Sequence, residues 1–537
     1  MSTDINLDDI LQKLGPFGRY NIVNYALLLF PIYLAGMYGS VFVFEAPDIS
    51  YRCHISECEN LNHTDWLEYA IPKEKGEISK CKRFQFRDNI TRDVCNKNEF
   101  ETTMAVECTE FVYSDEDSAV KDFDLGCDWR RTLIGSIHNA GLFIALPLTG
   151  FISDKYGRKI ALSVATLMNG VFGVLRSFST SYIMMLIFEF LETALGGGVN
   201  STAFVFAMEL VHPKGRVFGN LILNSVAVVG AGTLALLAWQ LQNWRVLIRV
   251  IYAPALLGIA YLWVMNESPR WLISKGRKDE AMEILKKAAK MNKVNISDET
   301  LSPLNAVGKS EENEEATPTP ALEKNEKGAY ILVKALKSNI IRNRLIICSV
   351  LWVTCTFVYY GLAINSVSLA GNQYLNFALV AFVEIPSTFI GLLVLDKFGR
   401  KRVLIATYLL SGCLCIGLSF VPKDLKIVSL LIYLLGKCTI TIAYFSVYIY
   451  VSEVFPTSVR QSLLAVCSSF GRFGSTLAPL TPLLPMRSVI FGCLAFVATL
   501  LVLLLPETKN MSLPNTIEEA ERISQKTRRK STENTVE

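Results

Sequence analysis

Apolar residues in this chain of 537 gather in long blocks instead of short alternating runs, and that grouping restricts the fold more than any motif. A helix of on the order of 20 apolar residues, rising about 1.5 Å per residue, crosses a hydrocarbon layer of roughly 30 Å. Such blocks stand near 21–43, 132–153, 160–180, 182–208, 218–241 and 246–265, and again near 344–364, 374–395, 403–421, 427–450, 461–482 and 488–505. An all-α membrane protein with twelve spanning helices in two bundles of six is predicted, so the length counts spans and not soluble domains. The charged share of 19% fits, being well below the roughly 25% of soluble domains. The first block has no short apolar core followed by a cleavage site, and is expected to stay as a span.

Orientation follows from where the charges sit. Connections after the second, fourth, eighth and tenth blocks carry Lys155, Arg158, Lys159, Lys214, Arg216, Lys397, Arg400, Lys401, Arg402 and Arg460, whereas 365–373 has no charge. The positive-inside rule then predicts a cytoplasmic N-terminus (1–20), a first bundle (21–265) with an extracellular loop (44–131), a cytoplasmic linker (266–343), a second bundle (344–505) and a cytoplasmic tail (506–537). Charged stretches such as Asp279 to Lys293 predict short linker helices, and Ser310 to Lys327, rich in Glu, Pro and Thr, predicts disorder, as does the tail after Glu521. A net charge of +4 carries no nucleic-acid signal.

The long outer segment holds Cys53, Cys58, Cys81, Cys95, Cys108 and Cys127. An even set in an oxidising compartment predicts three disulfides, in any of about 15 pairings. Asn62 and Asn89 begin glycosylation sequons on the same loop. The remaining seven cysteines lie in or beside spans and are expected to be packing residues.

Three polar motifs recur at an offset of roughly 240 residues, the mark of a duplicated unit. Asp154-Lys155-Tyr156-Gly157-Arg158-Lys159 is matched by Asp396-Lys397-Phe398-Gly399-Arg400-Lys401. Glu209 and Arg216 are matched by Glu453 and Arg460, and Glu267-Ser268-Pro269-Arg270 by Pro506-Glu507-Thr508-Lys509. A carboxylate at a helix end, a glycine-permitted turn and basic residues can form a cytoplasmic gate that pairs while that side is closed.

These motifs look like those of the major facilitator superfamily. The cysteine-rich first loop, Met208-Glu209-Leu210-Val211-His212-Pro213-Lys214, Asn266-Glu267-Ser268-Pro269-Arg270-Trp271-Leu272 and Val383-Glu384-Ile385-Pro386 resemble the organic cation, anion and carnitine transporter family, over about residues 14 to 510. Family members usually begin the sixth-span string with Pro, where this chain has Asn266. The resemblance implies a plasma-membrane carrier of small organic ions working by alternating access. Cation-preferring members carry an acid where Arg472 stands, and anion and carnitine carriers tend to have arginine there. The motif around Glu384 is similar to the cation and carnitine members.

Ionisable groups at midspan are functional candidates by default. Glu384, Lys437 and Arg472 reach that depth in the eighth, tenth and eleventh blocks, while Glu189 and Glu192 fall in the outer third of the fourth. Glu384 is expected to pair with Lys437, leaving Arg472 to offer its planar fork to a carboxylate. A pairing of Arg472 with Glu384 is the alternative. An acid and a base in one cavity suit a zwitterion, so a carnitine-like or amine-conjugate ligand is preferred over a plain carboxylate. Trp352, Phe357, Tyr359, Tyr360, Phe204 and Tyr444 are candidate faces for an ammonium group, and Tyr359 is similar to a tyrosine lining the family's cavity. Gln240 and Asn139 are candidate midspan amides.

The chain has no phosphate-binding glycine loop, and no histidine cluster or nucleophile with a base at catalytic spacing. An enzyme, an ATP-driven pump, a cofactor and a resident metal are therefore not expected. An organic anion exchanger and a non-transporting receptor or scaffold stay as alternatives. A coupling ion, and self-association through the outer loop, are left open.

Overall fold

A computed structural model describes residues 12–14, 18–59, 65–74, 77–87, 95, 97–211, 216–294, 333–422, 424–457, 459–509, 511, 514 and 516–523. Ten of its helices are long and apolar enough to cross a membrane. They are Arg19–Tyr38, Arg130–Tyr156, Arg158–Arg176, Tyr182–Leu210, Phe218–Leu241 and Trp244–Val264, then Asn339–Ser368, Gln373–Phe398, Arg400–Leu418 and Lys426–Val454. The eleventh span is the polar helix Arg460–Leu477, continued by a 3-10 stretch at Ala478–Leu483 with two prolines, and the twelfth is the 17-residue helix Arg487–Leu503. The fold is that of the major facilitator superfamily, two sets of six spans.

The sequence sets where helices start, stop and break. Ser181, Asn243, Ser338 and Asn372 cap helix starts with side-chain oxygens. The fourth span is interrupted between Tyr182–Gly196 and Val199–Leu210 by consecutive glycines. The eighth breaks into Gln373–Phe382 and Glu384–Phe398, because Pro386 has no N–H to give the Phe382 carbonyl. This break starts the second half-helix at Glu384.

Gly157 and Gly399 end the second and eighth spans with φ of 113° and 91°. Side-chain-bearing residues rarely adopt that conformation, so the chain reverses tightly there and the next helix begins at once with Arg158 or Arg400.

The loop between the first two spans folds into three two-stranded antiparallel sheets. They pair β1 (Tyr51–Cys53) with β6 (Phe111–Tyr113), β2 (Lys73–Glu74) with β3 (Glu77–Ile78), and β4 (Lys82–Phe86) with β5 (Phe100–Glu107). Its apolar core is small, built on Ile55, Trp66, Ile71 and Phe100. Disulfides Cys53–Cys108, Cys58–Cys95 and Cys81–Cys127 supply the constraint that such a core cannot. The loop is tied to the bundles by Asn243 donating to Asp117 at 2.9 Å, Trp244 Nε1 to Asp122 at 3.0 Å, and Arg131 with Asp48 at 2.9 Å. Burial works to raise the Asp48 carboxyl, but Arg131 and Lys80 more than offset it and hold it below its usual range. Asn62 and Asn89 lie outside the described residues, as does the segment from Ser310 to Lys327. Linker helices form at Pro269–Ser274 and Lys278–Asn292.

The two bundles meet extensively on the side that bears this loop. Phe382 packs where the fifth span has Gly232, Phe143 lies 6.0 Å from Phe473, and Phe44 lies 5.0 Å from Phe377. Beneath these contacts lies the central cavity.

Candidate functional site

The cavity has a volume of about 370 Å³ and is walled by both bundles. The first and fifth spans contribute small residues such as Gly36 and Ala231, with Asn224 and, from the fourth, Asn200. The other bundle contributes Tyr359 and Tyr360, Glu384, and Tyr444 with Phe445. Glu384 is the one carboxylate or cationic side chain among the described lining residues.

Its setting is specific. Lys437 Nζ lies 2.8 Å from Glu384 Oε1, with the lysine fully buried and the glutamate 22% exposed. The Tyr359 hydroxyl donates to the same oxygen at 2.6 Å. Lys437 also donates to the Tyr359 carbonyl at 3.2 Å and sits over that ring. Tyr360 and Tyr444 lie 5.2 and 5.3 Å from the Tyr359 ring. The lysine holds the glutamate from behind, and the glutamate with three tyrosines faces the cavity. A carboxylate bordered by ring faces is a chemistry that receives ammonium groups.

The remaining sequence candidates take different places. Arg472 is half-buried on the eleventh span, outside the lining set. It has no acidic partner among the described residues. Trp352 is buried at 5% exposure, edge-on to Tyr448 and against Gly471, where it packs the seventh span on the eleventh. Phe204 is 40% exposed and outside the lining set. Phe357 packs on Phe491. Gln240 corrects the midspan expectation: it is the penultimate residue of helix Arg216–Leu241 and is exposed. Asn139 is buried and donates to the Gly135 carbonyl at 2.9 Å, within its own helix. Asn200 and Asn224 were not singled out by the sequence, because amides elsewhere in the spans carry the same signal.

On the opposite side from the loop, the repeated motifs form two matching clusters. Arg158 donates to Glu209 at 3.0 Å and to Asp154 at 2.6 Å, while the Arg158 backbone N–H donates to Glu267 at 3.0 Å. Arg400 donates to Glu453 at 3.0 Å, its backbone N–H donates to Glu507 at 3.0 Å, and Asp396 is 4.0 Å away. Glu267 and Glu507 thus sit on the N-termini of the third and ninth helices, where exposed N–H groups and the helix dipole favour an anion. The burial of Glu267 raises its pKa despite those hydrogen bonds. Arg270 donates to the Glu209 carbonyl at 3.3 Å, and Arg460 to the Phe455 carbonyl at 3.3 Å. The side chain of Arg216 lies outside the described residues. Each of these pairs joins helix ends within one bundle.

A family model described as Sugar (and other) transporter matches residues 95–520. A Drosophila melanogaster protein named organic cation transporter protein is 32% identical, over 97% of this chain and 95% of its own. Solute carrier family 22 member 2 of Rattus norvegicus is 30% identical over 98% and 97%, and that of Homo sapiens 31% over 96% and 95%. In structure, the partially occluded inward-open xylose transporter XylE of E. coli matches with a TM-score of 0.59 at 16% identity, covering 92% of this chain and all of XylE. Matching motifs in both halves, the disulfide-bonded first loop and these relatives agree: the chain belongs to the organic cation, anion and carnitine transporter family of the major facilitator superfamily, a family of transporters and not of enzymes.

Proposed function

We propose that this protein carries small organic cations across the plasma membrane by alternating access, favouring zwitterions of the carnitine or amine-conjugate type. The observation that carries the reading is Glu384 as the one charged side chain among the described lining residues, bordered by Tyr359, Tyr360 and Tyr444. An ammonium group would rest on that carboxylate and those rings. The relatives named for organic cations support the same class. Arg472, without an acidic partner among the described residues, would take the carboxylate end of a zwitterion as the bundles move. Both termini would be cytoplasmic and the disulfide loop extracellular.

The test is uptake of labelled carnitine, tetraethylammonium and a plain monocarboxylate by cells expressing wild type, Glu384→Gln, Arg472→Ala and Arg472→Asp. Carnitine uptake is expected to fall at least about tenfold in every variant, on the order of 1.4 kcal/mol of lost binding. Tetraethylammonium uptake should fall only in Glu384→Gln. If the monocarboxylate is carried best and survives Glu384→Gln, the protein is an anion exchanger and the cation reading fails.

A further inference from the structure

The first bundle buries a second group of charges that the central cavity does not use. Arg176, at the end of the third span, is wholly buried. Its Nε lies 3.4 Å from Glu45, and its Nη1 contacts Glu189 and lies 3.9 Å from Glu192. His138 Nδ1, from the second span, is 2.7 Å from Glu189 Oε1. Exposure of all three glutamates is 1% or less, and of His138 3%. Tyr252 of the sixth span lies beneath the guanidinium at 5.1 Å and stacks on Tyr38 of the first at 4.3 Å. Arg245 faces Glu45 from the rim but is paired with Asp122.

The charges do not balance. Three carboxylates against one guanidinium leave two negative charges, and a protonated His138 would still leave one. Uncompensated buried charge costs several kcal/mol per ion, so the cluster must take up something positive. Arg176 already occupies the space between the carboxylates, which repels a metal cation. A proton needs no coordination shell. Buried polar atoms of every carboxylate in the cluster lack a hydrogen-bond partner among the described residues, Glu45 Oε2, Glu189 Oε2 and Glu192 Oε2 among them, and so does the nearby Tyr38 hydroxyl.

We propose that Glu45, Glu189, Glu192 and His138 form a proton-binding site, holding at least one exchangeable proton beyond the charge of Arg176, and that this proton keeps the loop side closed. The link to closure is Phe42–Glu45, the short helix that carries Glu45. Its Phe44 packs on Phe377 and Tyr374 of the other bundle, and its Phe42 sits over His138. Losing the proton puts a further negative charge behind that contact, and hydrating it requires the helix to move away from the second bundle. The inference does not depend on which solute the central cavity takes.

The test uses purified full-length wild type and Glu45→Gln, Glu189→Gln and Glu192→Gln, which keep side-chain shape. Infrared spectroscopy at neutral pH should show the carbonyl stretch of a protonated carboxylic acid in wild type, lost in at least one variant. Wild-type melting temperature should fall from mildly acidic to mildly alkaline pH, and that fall should shrink in the same variant, since a folded state holding a proton is favoured by acid. Absence of the band from wild type, or its survival in all three variants, overturns the proposal. Stabilisation by sodium that vanishes in Glu192→Gln, with no band, also overturns it and assigns a metal cation instead.

Discussion

Lys437 is fully buried, whereas Glu384 keeps 22% of its side chain open to the cavity, so the two ends of this pair are unequal. Removing the acid strands an ammonium with no water; removing the base leaves a carboxylate that the cavity can hydrate. Glu384→Ala is expected to cost about 3–5 kcal/mol of stability, the penalty for breaking a buried pair at the buried end. Lys437→Met should cost distinctly less, and the double variant should regain most of the loss. Thermal unfolding in detergent measures all three, and equal losses for the two single variants would show that the pair is uniformly buried. Gly157 and Gly399 show the same logic in the backbone. Each has φ well into the positive range, and a Cβ there would clash with the Glu267 carboxylate or meet that of Glu507 at 2.9 Å. Glycine therefore serves both the turn and the seat of the glutamate on the next helix.

Among elements, the disulfide loop and the broken eighth span matter most. The loop closes chain segments of 55, 37 and 46 residues with its three bridges. In the chain-entropy account, a loop of that size gives about 4 kcal/mol per bridge. Replacing Cys58 and Cys95 together by serine should destabilise the loop by about that amount while leaving the spans folded. Limited proteolysis of intact cells checks this, expected to nick the loop in the variant alone; resistance equal to wild type would place the loop's stability in its small apolar core. The eighth span places Glu384 by interruption: Pro386 breaks the ladder, and the half-helix Glu384–Phe398 starts at the cavity wall. The motif around Glu384 is visible in the chain, but the register of that break is legible only once the helix is built. Six cysteines foretell three bridges; which pairs form depends on the β4 and β5 register and on where Cys127 reaches Cys81.

For the whole molecule, the two bundles meet on the loop side above a cavity, the arrangement that the proposed alternating access requires in one of its two states. Phe143 and Phe473 face each other across that seam at 6.0 Å. A double cysteine variant at these positions, bridged by a cleavable bifunctional thiol reagent, should lose uptake, and cleaving the bridge should restore it. Full transport by the crosslinked protein would mean that this seam does not open. The two linker-side clusters behave differently, since each joins helix ends of one bundle through Arg158 with Glu209 or Arg400 with Glu453.

The sequence alone determined the twelve-span plan, the duplicated halves and the number of disulfides, because hydrocarbon thickness and the need to satisfy every backbone group leave little choice for apolar blocks of that length. It also exposed which midspan residues are ionisable. Only the tertiary structure decided which of them meet. Glu384 and Lys437 approach because the eighth and tenth spans are neighbours, and Gln240 falls at a helix end and not at midspan. The buried cluster around Arg176 shows the reason most clearly. Its members come from the first, second, third, fourth and sixth spans, each ordinary in its own segment, and their excess charge exists only after packing removes the water between them.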